Sequence, residues 1–287
     1  MKRILRLDML PGIPFRQTFH ADHWKDLENS GLTEDIIKES KIFTLPPGDL
    51  TRLFAFGNKK IYSTVITALV FPYAPSYEFA RIKIFPVYVD EKGHRTKYLQ
   101  PPKSSARLYI PRPLDEDCLI TIIEGEKKTL SGLQYGLNAI GIGGIWNWVD
   151  TFGHLNSDFD SIHWEGKSVD IVPDSDVWTR EDLLRAVLAL ATRLRDLGAE
   201  VLIVRMNPEG QKGLDDFFVA GNTIEDYRGL ERVGLNSQFF QQCQVWFSKW
   251  KAEKAHANVC PHCEKGFKNL ARHKCKKAPL EGDNEAM

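Results

Sequence analysis

Apolar and polar positions follow three different patterns along the chain. Between residues 20 and 45 the apolar positions recur at helical spacing and Gly31 interrupts them, which predicts two short helices. Between residues 51 and 115, β-branched and aromatic residues are broken by proline and glycine, which predicts an antiparallel, β-rich subdomain. From Leu119 onward, apolar runs alternate with amphipathic segments of helix length, as in βαβ units around a parallel sheet. The first two helices are expected to bury Trp24, Leu27, Ile36 and Ile37.

The predicted parallel sheet has four buried strands, which are LITIIE, NAIGIGG, VDIVPDSD and AEVLIVRM in chain order. The helix EKKTLSGLQYGL follows the first strand, and a turn with a short helix, GLDDFFVAG, follows the last. The clearest helix is TREDLLRAVLALATRLRDLG, in which Thr179 and Asp182 have the spacing of a capping box and Gly198 ends the helix.

These patterns predict an α/β protein with several segments. The expected segments are a helical lead-in at 1–50, a β-rich subdomain at 51–115, an α/β domain at 116–225, a helical linker at 226–256, a cysteine-rich module at 257–277 and a disordered tail at 278–287.

Composition narrows the classes of function. Lysine plus arginine and aspartate plus glutamate each number 38, so the formal net charge is zero and any contact with nucleic acid must come from local patches. No apolar run approaches the roughly 18 to 20 residues that cross a bilayer, and the first residues lack the apolar stretch of a signal peptide. We therefore expect a cytoplasmic protein without a membrane partner.

Acidic residues stand at the predicted ends of two strands. Glu124 ends one strand, and Asp174 and Asp176 follow another, so all three are expected at the carboxyl edge of the sheet. Carboxylates brought together repel one another unless a hard cation lies between them, and Mg²⁺ prefers such ligands together with substrate phosphates. The expected chemistry is phosphoryl transfer, with Glu124 as acid or base. Asp215 and Asp216, after the next strand, are expected to add to the metal site or to position its ligands. Lys127 and Lys128 are expected to contact phosphate.

Simpler interpretations of the same residues remain open. Acids often end strands, a DxD pair often caps the helix that follows it, and the two lysines also suit a solvated helix face. The GIGG run at 141–144 lacks the spacing and the Lys-Ser/Thr ending of a phosphate loop, so a tight turn is expected there.

Three segments, IIEGEKKTLSGLQYGLNAIGIGGIWNW, VDIVPDSDV and KGLDDFF, resemble the Toprim-like domains of phage and plasmid primases and primase-helicases. KYLQPPKSSARLYIPRPL resembles the basic subdomain ahead of this domain in bacterial DnaG-type primases. Together the resemblance covers residues 51–222. It implies a Toprim-type, Rossmann-like parallel sheet core, preceded by a small helical and β-rich basic subdomain. The cysteine-rich module that follows is expected, from its own spacing, to be a small zinc finger.

The resemblance also implies functional residues. Glu124 matches the catalytic glutamate, and Asp174 and Asp176 match a DxD pair that binds Mg²⁺ or Mn²⁺. Nucleic-acid contacts in the basic subdomain are expected at Lys97, Tyr98 and Lys103. Cellular primases have an acidic residue where Lys128 stands, and a glycine commonly follows their DxD pair where this chain has DSDVWT. The sequence has no Walker motif, so helicase activity is not expected.

The segment CPHCEKGFKNLARHKC has the spacing of a zinc ligand set. Four sulfur and nitrogen ligands suit tetrahedral zinc, although the H-x-C ending is shorter than usual and leaves His262 or His256 as an alternative ligand. The surrounding charge is basic, which favours contact with a phosphate backbone, and a protein-docking module is the alternative. The expected zinc ligands are Cys260, Cys263, His273 and Cys275, and the nearby contacts to nucleic acid are Lys268 and Arg272.

The leading functional hypothesis is a primase-like enzyme that joins nucleotides on a single-stranded template, most naturally DNA. Metal-dependent cleavage of phosphodiester bonds is an alternative, because water and a 3′-hydroxyl attack phosphorus with the same assistance. A catalytically silent nucleic-acid-binding adaptor is a third possibility. The expected partners are nucleic acid, nucleotides and a helicase or other replication protein.

Overall fold

The computed structural model describes residues 14–45, 61, 63–73, 79–101, 103–150, 153–207, 209–238 and 240–241. The chain divides into two compact units, Met1–Gly234 and Leu235–Met287. All elements given below belong to the first unit. Within the described ranges, no helix has the length and apolarity to cross a membrane. The predictions for Cys260, Cys263, Lys268, Arg272, His273 and Cys275 lie outside the described residues.

The lead-in consists of short helices that share one core with the rest of the unit. A 3-10 turn at Phe15–Thr18 precedes α1 (Ala21–Glu28) and α2 (Glu34–Glu39), and Gly31 turns the chain between the two helices with a φ of 65°. The two predicted helices and their predicted buried residues are confirmed, and these residues pack in one apolar cluster with residues of the parallel-sheet region.

The β-rich segment forms a four-stranded antiparallel sheet in the order β1-β2-β3-β4, which confirms the antiparallel prediction for the described part of it. An apolar cluster of its own covers one part of this sheet. The strands are β1 (Phe43–Leu45), β2 (Thr67–Pro72), β3 (Ala80–Val89) and β4 (Arg95–Leu99).

The second sheet has six strands in the order β10-β9-β8-β6-β7-β5. The four central strands are parallel, as the alternation of apolar runs and helices predicts, while both edge strands pair antiparallel. The edge strand β10 lies in the segment for which a helical linker is predicted. The strands are β5 (Leu108–Tyr109), β6 (Ile120–Glu124), β7 (Ala139–Ile142), β8 (Ser168–Val172), β9 (Glu200–Val204) and β10 (Arg232–Gly234).

Four further helices connect these strands: α3 (Glu126–Gln134), α4 (Glu181–Asp196), α5 (Leu214–Val219) and α6 (Ile224–Arg228). The predicted capping box of α4 is wrong. The Thr179 hydroxyl donates to the carbonyl of Asp176 in a 3-10 turn at Ser175–Trp178, so Arg180 becomes the N-cap. The predicted end of α4 is confirmed, because Gly198 has a φ of 92°.

Candidate active site

Two neighbouring parallel strands bring Glu124 and Asp174 to the same edge of the sheet. Ile123 of β6 lies opposite Val172 of β8, so the residues that follow leave the sheet side by side. The backbone N–H of Asp174 donates to Oε2 of Glu124 at 3.5 Å, and the N–H of Ile145 donates to Oε1 at 3.2 Å. The Glu124 carboxylate is therefore held by the loops that follow β7 and β8.

Gly125 turns the chain from β6 into α3 immediately after Glu124. Its φ is 94°, in the left-handed region that favours glycine, and its N–H donates to the carbonyl of Ile142 at 2.7 Å. The Thr129 hydroxyl donates to the Gly125 carbonyl at 2.8 Å. This turn directs the Glu124 side chain toward the β8 loop rather than along the helix.

Asp174 is almost buried and lies against two lysines. Its side chain is 10% exposed, and its Oδ1 accepts a hydrogen bond from the Lys128 ammonium group. The Lys212 ammonium lies 3.5 Å from Oδ2, and the carbonyl of Lys212 accepts from the N–H of Ser175 at 2.7 Å. The segment before α5 thus packs against the loop that carries the aspartate.

The charges at this edge shift two pKa values. Burial, followed by the nearby Asp174 carboxylate, raises the pKa of Glu124 above its ordinary value. Burial disfavours the charged form of Lys128, but the carboxylates of Asp174 and Glu124 outweigh burial and raise its pKa. Lys128 therefore stays a cation at neutral pH, and Glu124 takes up a proton more readily than a free carboxyl group.

The other predicted acids have different surroundings. Asp176 is 35% exposed and pairs loosely with Arg180 at 3.9 Å and with Lys212 at 4.0 Å. Asp215 is buried, and its Oδ2 accepts from the Ser30 hydroxyl at 2.7 Å. Asp216, in the first turn of α5, is exposed to solvent.

The oxygen donors at the edge suit a hard cation. In the part of the chain that the structure describes, no group of three or more acidic, histidine or cysteine side chains is arranged to hold a metal ion. Carboxylates are nevertheless the donors that Mg²⁺ and Mn²⁺ prefer. A divalent ion would relieve the repulsion between Glu124 and Asp174 that contributes to the raised pKa of Glu124. These two residues fit one such ion, while Lys128 already contacts Asp174.

The predicted phosphate contacts are separated by the fold. The Lys127 ammonium points away from the acidic pair and lies 3.1 Å from the Asp26 carboxylate of α1. Lys97 and Lys103 are exposed. Tyr98 packs among aromatic side chains instead, and Arg81 lies over its ring at 5.1 Å.

A buried charged cluster beside the site has no counterpart in the sequence-based prediction. Arg81 of β3 donates to the Glu126 carboxylate at 2.6 Å and to the Gly143 carbonyl at 2.5 Å. The Tyr73 hydroxyl donates to the same glutamate oxygen at 2.8 Å. A Cβ atom at Gly143 would lie 1.9 Å from Nη1 of Arg81, so the GIGG run makes room for this arginine. The cluster ties the four-stranded sheet to the first turn of α3.

Trp146 is a second feature absent from the prediction. It follows Ile145, whose N–H binds Glu124, and it is 45% exposed. Its neighbour Trp148 is buried at 2% exposure. The WNW letters alone do not tell which indole faces solvent, because that depends on how the loop packs.

Comparisons with known proteins agree with this architecture. A family model described as a domain of unknown function, DUF3854, matches residues 114–224, which include both strand-end acids. A DNA primase domain from Pseudomonas aeruginosa matches with a TM-score of 0.51 and 18% sequence identity over 77% of this chain and 75% of that one. The zinc-binding and RNA polymerase domains of the Aquifex aeolicus primase match with a TM-score of 0.51 and 13% identity, over 83% of this chain and 62% of that one.

A DnaG primase catalytic domain bound to single-stranded DNA also matches, with a TM-score of 0.45 and 16% identity over 73% of this chain and 70% of that one. No curated protein sequence matches significantly. The chain has a primase-like α/β fold.

Proposed function

We propose that this chain is a metal-dependent nucleotidyl transferase of the primase type, and that it joins nucleotides on a single-stranded nucleic-acid template. The observation that carries the proposal is the adjacency of Glu124 and Asp174 at the carboxyl edge of the parallel sheet. Ligands of open α/β sheets bind at this edge. The primase-like fold supports assigning the edge to phosphoryl chemistry.

In this proposal, residues 116–225 form a Toprim-type domain of the phage and plasmid primase class. Glu124, Asp174 and the more exposed Asp176 would hold Mg²⁺ or Mn²⁺, which neutralises charge on the attacked phosphate and lowers the pKa of a bound hydroxyl. The pKa of Glu124, which burial and the nearby Asp174 carboxylate raise above its ordinary value, suits a group that accepts and returns a proton.

Nucleic acid would approach from the solvent side of this edge. The exposed Trp146 offers a flat surface for a base, and the exposed Lys212 extends beside the two aspartates toward phosphate. Lys97 and Lys103 add exposed positive charge on the four-stranded subdomain. We further propose that the cysteine-rich segment holds zinc and that its basic residues help to bind the strand.

One observation favours a second candidate, a nucleic-acid-binding adaptor without catalysis. The Lys128 ammonium occupies Asp174, which is one of the carboxylates that a catalytic ion would need. An adaptor of a helicase or other replication protein would retain the fold and the exposed Trp146 while losing the divalent ion.

Primer synthesis tests the proposal directly. The pure protein is incubated with single-stranded DNA, labelled nucleotides and Mg²⁺ or Mn²⁺, and the products are separated by length. New short oligomers are expected from the wild type, and loss of about 100-fold or more in rate is expected for Glu124→Gln, since a catalytic acid-base group typically contributes 10²- to 10⁴-fold.

The control is Glu200→Gln, an exposed glutamate at the amino end of β9, which is expected to keep the wild-type rate. Shortened template that depends on Glu124 would assign a nuclease. Strand binding with neither product would leave the adaptor as the function.

A further inference from the structure

The Lys128 side chain is enclosed at the carboxyl edge of the sheet. It is 21% exposed, against 64% for Lys212, the other lysine that pairs with Asp174. Burying an ammonium group is unfavourable unless a carboxylate pairs with it. Here the partner is Oδ1 of Asp174, which is itself nearly buried. The Lys128 ammonium group is therefore fixed beside Asp174, whereas an exposed lysine side chain changes conformation freely.

Glycine makes room for the lysine stem. A Cβ atom at Gly213 would lie 2.6 Å from Cε and 2.9 Å from Cδ of Lys128, closer than side chains approach one another. Gly125, at the start of α3, also lies close to the lysine, because a Cβ there would lie 3.9 Å from Nζ. The turn before α5 therefore fits a long side chain that reaches Asp174.

Three carboxylates interact electrostatically with this ammonium group, and that of Asp174 is in direct contact with it. Glu124 and Asp174 lie next to each other, and both interact electrostatically with Lys128. Asp215 adds a third charge, because it is buried and one of its oxygens, Oδ1, has no hydrogen-bond partner among the described residues. That oxygen lies 3.1 Å from a Cβ placed at Gly213, beside the lysine stem.

We propose that the Lys128 ammonium group takes the place of a cation beside Asp174, so that this edge binds no more than one divalent ion. It covers Oδ1 of Asp174, and its charge repels a second ion that approaches the same carboxylates. The inference rests on the proposed function only in taking Glu124 and Asp174 as ligands of a divalent ion.

The test counts Mn²⁺ ions on the full-length protein by electron paramagnetic resonance of free Mn²⁺. The wild type is expected to bind a single ion at this site, and Glu124→Gln is expected to lose it. Lys128→Asp replaces the cation by a ligand and is expected to bind one ion more than the wild type. Lys128→Met keeps the length of the stem without its charge and is expected to gain the same ion with lower affinity.

A matched control is Lys83→Met. Lys83 is also a nearly buried lysine, 14% exposed, and it pairs with Asp26 at 2.5 Å, away from the acidic pair. Its loss is expected to leave the Mn²⁺ count and affinity at the wild-type values. In the metal-free state Lys128→Asp is expected to unfold at a lower temperature than the wild type, and Mn²⁺ is expected to reverse that shift.

Two results would overturn the inference: a wild type that binds two Mn²⁺ ions at this site, or Lys128 variants whose count and affinity equal those of the wild type. The first readout needs only Glu124→Gln, because the ions which that variant loses are those of this site, so it stands even if the Lys128 variants do not fold. If Lys128→Asp binds one ion more than the wild type but the wild type makes no primers, the proposed enzyme is rejected and the inference stands. If the wild type makes primers and binds two ions at this site, the proposed enzyme stands and the inference is rejected.

Discussion

The exposure of the Trp146 side chain is set by its surroundings. Its chain neighbour Ile145 is buried and donates its N–H to Glu124, which directs the indole of Trp146 outward beside the acidic pair. A large aromatic ring exposed to water at such an edge provides a stacking surface that accepts any base. The ring and the carboxylates would then act on the same strand.

We expect Trp146→Ala to weaken binding of single-stranded DNA by about 5- to 150-fold, because base stacking on an aromatic side chain is worth about 1 to 3 kcal/mol. Trp146→Phe should retain much of the affinity. Fluorescence anisotropy with a labelled oligonucleotide measures the Kd. Leu197→Ala serves as the control. Leu197 has an equally exposed apolar side chain, at 46%, and it lies at the C-terminal end of α4. An unchanged Kd for Trp146→Ala would remove the stacking role.

A buried histidine, His23, lies where α1 packs against the four-stranded sheet. His23 is fully buried; its ring centroid lies 4.6 Å from that of Phe85 on β3, and its Nδ1 lies 2.8 Å from the Thr44 hydroxyl on β1. Burial, followed by the nearby His20, lowers the pKa of His23 to about 3. A neutral imidazole thus joins the first helix to two strands.

This contact makes the fold sensitive to acid. In the unfolded chain a histidine takes up a proton near pH 6.5, whereas folded His23 does so only near pH 3, so the unfolded state binds more protons between these values and stability falls as the pH falls. From pH 7 to pH 5 the loss is up to about 2 kcal/mol. Urea unfolding should show a smaller loss over this range for His23→Leu, while the exposed His163→Leu should behave as the wild type. Equal losses in all three proteins would contradict the assignment.

The whole molecule consists of two compact units: one with the primase-like fold, and a C-terminal one that begins at Leu235. The buried Arg81–Glu126 pair joins the four-stranded sheet to α3, the helix that follows Glu124, so the subdomain with the exposed basic residues is held beside the acidic edge. The predicted zinc ligands belong to the second unit. Strand binding would then draw on both units of the chain, and catalysis on the first unit alone.

We expect Cys263→Ser to release zinc, because three remaining ligands bind the ion much more weakly than four. Affinity for single-stranded DNA should fall, while thermal unfolding of the first unit should stay as in the wild type. Atomic emission measures the zinc content, and anisotropy measures the Kd. Cys118→Ser is the matched control, since Cys118 is an exposed free cysteine of the first unit. A variant that loses zinc but keeps its Kd would remove the finger from strand binding.

The sequence alone determined the two lead-in helices, the antiparallel β-rich segment and the four parallel strands, because apolar periodicity and glycine or proline breaks are local properties of the chain. It did not determine the edge strand β10, which lies where a helical linker is predicted. It also determined that Glu124 would end one strand and Asp174 would follow another, and hence that the two would approach each other at one edge. The turn at Gly31 and the end of α4 at Gly198 follow from the same local rules.

Only the tertiary structure decided which charges meet. Lys127 and Lys128 are adjacent in the chain, yet the helix turns one toward Asp26 and the other toward Asp174. Arg81 reaches Glu126 across 45 positions of sequence, and nothing near Arg81 in the chain indicates that it does. Such pairings depend on how two sheets and their helices pack, and packing is a property of the whole fold that local patterns do not encode.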